Sequence, residues 1–401
     1  MTAPVRDSAD LPDYPIPREC PYRPSADFAP LREQGPLTKV RLYNGRIAWL
    51  VTGPAEARAL LADERTSIKP DQPNFPLLNE EMEKVVETGY AAVLFGADPP
   101  EHTRQRRMLT QSFTVRRIAE FRPDIERIVA EQLDAMERHG PPVDLVAALA
   151  QPIPTFAACV LLGVPYVDRE DFGKPARELF EPELADQAMV ELSGYLDRLI
   201  QDKETNPGNG LLDDLIAAHV RTGELSRAEL ISLTMAILIA GTETTTNVIS
   251  LGTLALLEHR EQFEALCADP ELVPGAVEEL LRYVSLVEAF ARVATADIEI
   301  AGEVIRAGDG ILVSSAGANF SEALVANPHA LDVHRPTRHH LAFGHGIHLC
   351  IGHNLARLEL EIVFRGLVER FPTLRSALPI EEIPKKSDGT VERLVEFPVT
   401  W

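Results

Sequence analysis

From Leu230 to Leu257 the chain carries a single ionisable side chain, Glu243. Ser226-Arg227-Ala228-Glu229 just before it is a capping box, in which the serine accepts an orphan N–H and the glutamate reaches back. A helix from there to about Glu258 would be ~50 Å long, the width of a whole domain. Such a stretch has to be covered nearly all round, by a bilayer or by a large protein core. Thr242, Glu243, Thr244, Thr245, Thr246 and Asn247 lie at its centre, where a bilayer makes polar groups most costly. The pattern therefore predicts a buried helix crossing a globular core, with everything else arranged round it.

Most of the remainder reads as helix. From Pro99 to Gly223 successive helices are separated near Thr114, Pro123, Gly140 and Gly163, and at Asn206-Pro207-Gly208-Asn209-Gly210. Pro54 opens a short helix, and two more flank Asp269-Pro270. The β part is small: a hairpin at Asn44-Gly45, and short strands within residues 298–313. The proline-rich residues 1–36 are expected to wrap over the surface, and residues 70–97 to form a long loop with one short helix. With no repeat or linker in view, residues 1–401 read as one mainly α domain with a small β part.

A formal net charge of -22 argues against nucleic acid or an anionic membrane surface as partner. Cys20, Cys159, Cys267 and Cys350 are scattered without a Cys-x-x-Cys pair, which suits a reducing compartment. The first residues hold no apolar signal core, so a cytoplasmic location is expected.

Chemistry concentrates in a few places. Ala342-Phe343-Gly344-His345-Gly346-Ile347-His348-Leu349-Cys350-Ile351-Gly352 places one cysteine where a glycine-rich loop enters a helix, an end that favours thiolate. His345, His348, Cys350 and His353 offer zinc-like ligands, and a Cys–His nucleophile is a further reading. Axial ligation of a planar metallocofactor better explains the flanking glycines, since Gly344 and Gly352 let backbone approach a flat ring. On the long helix, Ala240 and Gly241 share a face with Thr244 and open a groove beside its hydroxyl, with Glu243 about 100° round the axis. A helix-packing notch would look the same. Glu279 and Arg282 are three apart, as in many surface salt bridges. His102 and Arg106 are four apart and could clamp one anion.

In order and spacing these stretches resemble the cytochrome P-450 superfamily of haem-thiolate monooxygenases, most nearly its soluble actinobacterial members. Phe343, Gly344, Gly346, His348, Cys350 and Gly352 match the cysteine-loop signature, residues 240–244 the oxygen-activating motif, and Glu279/Arg282 the Glu-x-x-Arg. The resemblance implies the P-450 fold, with haem b between the long helix and the cysteine-loop helix. It implies Cys350 as axial iron ligand, His102, Arg106, Arg292 and His348 as propionate partners, and Glu243 and Thr244 as proton donors in dioxygen activation. Ala240, Gly241, Phe343, Gly344 and Gly352 would border the haem, and Glu279, Arg282 and Arg335 would form a structural triad. Two departures stand out: the usual Asn-Arg-Asp is here Asn319-Phe320-Ser321, and the acid of the pair is Glu243 rather than aspartate.

No dinucleotide-binding glycine motif follows a strand, so electrons are expected from NAD(P)H by way of a separate reductase and a ferredoxin or flavodoxin-like donor. Arg104, Arg107, Arg116 and Arg117 form a local basic cluster that could dock it. The expected reaction is hydroxylation or epoxidation, with dioxygen, of a medium or large apolar secondary metabolite or xenobiotic by a monomer. The alternative is a haem-thiolate protein used for peroxide-driven oxidation, coupling or sensing. By analogy the pocket draws on Phe75, Leu77, Leu78, Val93, Leu94, Phe172, Phe180, Met189, Met235, Leu286, Val287 and Phe290, residues that core packing explains nearly as well.

Overall fold

A computed structural model describes residues 11–87, 93–179, 183–387 and 392–401; Phe180 lies outside them. The principal elements, in chain order, are strands β1 (Leu37–Arg41) and β2 (Ile47–Val51), helix α1 (Pro54–Ala62), strand β3 (Thr66–Ser67), and helices α2 (Glu101–Thr110), α3 (Arg122–His139), α4 (Pro152–Leu162), α5 (Arg169–Glu178), α6 (Ala185–Thr205), α7 (Arg227–Glu258) and α8 (Val273–Val284). Strands β4 (Ala289–Ala294), β5 (Ile298–Ile300), β6 (Glu303–Ile305) and β7 (Gly310–Ser314) and helix α9 (His353–Arg370) follow. The chain divides into two compact units. One holds Met1–Asp98, Glu278–Cys350 and Lys386–Arg393, the other Pro99–Val277, Ile351–Lys385 and Leu394–Trp401.

The first unit is built on a five-stranded sheet in the order β1-β2-β7-β4-β3. Its hairpin turns at Asn44-Gly45, where Gly45 takes a φ of +79° that glycine adopts without strain. β2 pairs parallel with β7, and β4 antiparallel with β7, with Arg292 opposite Ile311. All five residues of β7 are buried, as expected for the middle strand. β5 and β6 form the second hairpin, at Ala301-Gly302. The proline-rich segment does not simply wrap over the surface, as its composition had indicated. Tyr14, Tyr22 and Phe28 are buried, and Tyr14 and Phe28 pack with Val40, Leu50 and Leu312. Aromatic rings carry enough apolar area to anchor a segment that has little regular hydrogen bonding of its own.

The second unit is helical. α7 starts at the expected capping box: Ser226 Oγ accepts from the Glu229 N–H at 3.2 Å, and Glu229 Oε2 accepts from the Ser226 N–H at 2.9 Å. Its 32 residues give a length of about 48 Å. It packs against α4, α6 and α9, and α9 in turn against α3. The helices do separate just before Pro123, between the one over Val115–Ala119 and α3, and Pro123 sits in the first turn of α3, where its missing N–H is harmless. Among the described residues no helix is long and apolar enough to cross a membrane.

Candidate active site

The cysteine loop as far as Cys350 belongs to the first unit, and Ile351 and Gly352 to the second. Gly344 and Gly346 have φ of +70° and +74°, so both sit in the left-handed region. A Cβ on Gly346 would lie 2.4 Å from the Leu61 carbonyl oxygen, so the loop rests directly on the end of α1. Gly352 has an ordinary φ of −82° and serves as the N-cap of α9. The Cys350 N–H donates to Phe343 O at 2.9 Å, closing the loop on itself two residues ahead of that cap. Cys350 and His348 are half-buried. Among the described residues no three His, Cys, Asp or Glu side chains converge to hold a metal ion, which removes the zinc reading. His353 Nδ1 instead lies 2.8 Å from Arg357 Nη1. His345 has its imidazole pKa lowered, first by burial and then by Arg58 of α1. Arg58, which no motif marks, holds a buried Nη2 without a partner among the described residues.

Two buried arginines precede this loop in sequence and are treated very differently. Arg282 and Glu279 are both wholly buried and meet at 2.8 Å and 2.7 Å, a two-point pair. The surface salt bridge that their spacing alone allows is therefore excluded. Arg282 Nη1 also donates to the carbonyls of Asn319 and Pro328. Arg335 Nε lies 3.4 Å from Glu279 Oε1, within ion-pair reach though not aligned for a hydrogen bond. Thr337, unmarked in the sequence, donates to Glu279 Oε2 at 2.5 Å. Where the family's arginine would stand, Phe320 is buried, 5.6 Å from the Tyr283 ring and 5.3 Å from the Arg282 guanidinium. Asn319 keeps a polar role, accepting from the Leu341 N–H at 2.7 Å.

Arg292 on β4 is 3% exposed and donates to the Ala291 carbonyl. Burial lowers its pKa to about 10, opposed only by Asp98, whose oxygens are engaged by Ser67 and the Ile68 N–H. No ion pair reaches it among the described residues. A buried guanidinium of this kind fits a carboxylate supplied from outside the chain.

In the second unit, α7 is buried along most of its length, yet Ala240 and Gly241 are exposed and Glu243 and Thr244 half-buried. A Cβ on Gly241 would meet nothing within 4 Å. Thr244 Oγ1 donates to Ala240 O at 2.7 Å. Thr234, Thr242, Thr246 and Thr253 make the same back-bond, so it is the open face, not the bond, that sets Thr244 apart. On α2, His102 is buried and Arg106 half-buried one turn on. The basic cluster is largely spent internally. Arg104 binds Glu101 at 2.7 Å and Glu229 at 2.8 Å, tying α2 to the start of α7, and Arg117 binds Glu120 and Asn209. Arg107 and Arg116 remain exposed.

The expected pocket residues also sort by burial. Phe172 is fully buried against Tyr195, and Leu78 packs with Tyr14 and Phe28, so both are core. Phe75 and Leu77 pack with Val293, and Leu94, Met235 and Leu286 are buried too. Val93, Met189, Val287 and Phe290 are partly exposed.

Comparison with known proteins agrees with this arrangement. The cytochrome P-450 family model matches residues 179–391. The chain is 50% identical over 404 aligned residues to pentalenic acid synthase of Streptomyces avermitilis, with all of both chains covered. It is 47% identical to vitamin D3 dihydroxylase of Streptomyces griseolus, covering 100% of this chain and 99% of that one. Among solved structures, cytochrome P-450 MoxA from Nonomuraea recticatena superposes with a TM-score of 0.92 at 43% identity, over 97% of this chain and 98% of that one. The chain belongs to the cytochrome P-450 family and is a haem-dependent monooxygenase.

Proposed function

We propose that the whole chain acts as one catalytic domain that hydroxylates or epoxidises a medium or large apolar secondary metabolite. Electrons would come from NAD(P)H through a separate reductase and a ferredoxin or flavodoxin-like donor steered by Arg107 and Arg116. The observation that carries the reading is the break at exposed Ala240 and Gly241 and half-buried Thr244, in the middle of a helix that is buried along most of its length. Haem, when bound, supplies the iron at which dioxygen is activated. Cys350, at the end of the loop and just ahead of α9, would hold the haem iron through its sulfur. His102, Arg106, Arg292 and His348 would hold the propionates, which answers the uncompensated charge of Arg292. Thr244 would orient, and Glu243 relay, the protons that reach the open face. Glu279, Arg282 and Arg335 would hold the scaffold rather than touch substrate.

The substrate class is supported by the relatives' names, a pentalenic acid synthase and a vitamin D3 dihydroxylase. It is also supported by the partly exposed Val93, Val287 and Phe290 of the first unit. The reduced, carbon-monoxide-bound absorption spectrum tests the ligand: Cys350→Ser should abolish the thiolate signature, and a retained signature would reassign it. Thr244→Ala tests the reaction. It should lower product formed per electron pair by roughly tenfold or more and release peroxide instead. Unchanged coupling would favour the peroxide-driven alternative.

A further inference from the structure

Arg18 lies in the N-terminal segment, far in sequence from every motif above, yet its side chain is only 4% exposed, as is that of Glu288. Arg18 Nε donates to Glu288 Oε2 at 3.0 Å, Nη2 donates to the same oxygen, and Nη2 reaches Ser285 O at 3.3 Å. Tyr14 donates its hydroxyl to the other carboxylate oxygen, Oε1, at 2.9 Å. Both oxygens of Glu288 are thus taken by one strap of chain.

The turn they hold, residues 285–288, is gripped from its other side as well. The Ser315 N–H donates to Glu288 O at 3.2 Å, and the Ser315 hydroxyl donates to Val287 O. Ser285 has a φ of +42°, a conformation serine adopts only under constraint. Its hydroxyl donates to Arg282 O at 2.7 Å and accepts from Asn319 Nδ2 at 3.0 Å. β4 begins at the very next residue, 289. Phe290 lies 3.6 Å from where a Gly344 Cβ would stand, and Arg292 follows two residues later. All of these residues belong to the first unit.

A buried ion pair is seldom the cheapest way to stabilise such a place, because apolar residues of similar volume often do as well. What it adds is direction: a carboxylate bonded on both oxygens has little freedom to shift. We propose that Tyr14, Arg18 and Glu288 form a positioning clamp. It fixes the turn into β4, and thereby the segment 286–290 that meets substrate and packs on the cysteine loop. The N-terminal strap thus helps decide which carbon of the substrate is oxidised. This rests on the substrate reading given above for residues 286–290, and the three are positioning residues, not catalytic ones.

The test uses the haem-loaded protein with Arg18→Met, Glu288→Gln and the double variant. Each single change strands a buried charge or its partner and should lower Tm, whereas the double change removes both charges and should recover most of the loss. Positioning should not recover with it. In the double variant, binding of 4-phenylimidazole should weaken by roughly tenfold relative to unsubstituted imidazole, since only the bulky ligand reads the segment's placement. With vitamin D3 as probe, the ratio of hydroxylated products should change while the carbon-monoxide spectrum stays as in the wild type. A double variant with wild-type imidazole selectivity overturns the clamp, whatever its Tm. If vitamin D3 causes no spin-state change even in the wild type, the substrate reading is weakened, and the imidazole pair still decides the clamp on its own.

Discussion

Arg282 and Arg292 stand ten residues apart, in one unit, at nearly the same depth, and have opposite fates. Arg282 has a two-point acid partner, three backbone carbonyls and two aromatic rings within reach. Arg292 has its neighbour's carbonyl and a distant Asp98 that other groups already use. A charge brought out of water must be matched by something. The chain itself matches the first, so Arg282 completes a scaffold. The second the chain leaves unmatched, which is what the proposed propionate contact of Arg292 would use. Depth of burial alone would rank them as equals.

Removing the acid from the complete cluster should do the most harm. Glu279→Gln strands Arg282 and loosens Arg335 and Thr337 together, for an expected loss of about 3–5 kcal/mol in denaturant unfolding, or no folded protein at all. A stable Glu279→Gln variant would put Arg282 in the same class as Arg292. Next, Arg292→Leu should leave the apoprotein at least as stable as the wild type, since an unmatched buried charge is gone. Haem should nevertheless transfer to apomyoglobin faster, on the order of tenfold to a hundredfold, for one lost charge-assisted contact. An apoprotein as damaged as Glu279→Gln would erase the distinction.

The smallest effect concerns a third outcome, neutralisation. Glu359 on α9 is buried, its Oε2 has no partner among the described residues, and burial pushes its carboxyl up to about 8. The folded chain therefore keeps a proton that the unfolded chain releases near the ordinary carboxylate value. Stability falls as pH rises through that window. Glu359→Gln should flatten this slope, by on the order of 1 kcal/mol once relaxation softens the burial. A slope unchanged in the variant would assign it to other groups.

Local chemistry was readable from the chain. The capping box and the Asn44-Gly45 hairpin each depend on residues within a few positions, and each is where it was expected. The small-residue face of α7 was readable too, because helical spacing alone creates it. What could not be read is what distant segments bring. Nothing near Thr337 or Arg58 in the sequence marks them, since their importance comes from Glu279 and from the cysteine loop. That Gly352 is also the N-cap of α9 could not be read either, because it depends on how that helix begins. Arg104 looked available as a docking charge until the fold supplied Glu229, 125 residues away. Phe172 and Leu78 looked like pocket because apolar residues line cavities and fill cores alike.

Phe320 carries a last consequence. Tyr22, Tyr283, Phe320 and His329 form a ladder, with ring centroids 6.0, 5.6 and 5.4 Å apart in turn. In this family that corner ordinarily uses an arginine and an aspartate. Dissolved ions screen exposed charges within about a Debye length, but they do little to contacts between ring faces and edges. This corner of an enzyme with a net charge of -22 should therefore hold equally well in fresh water and in brine.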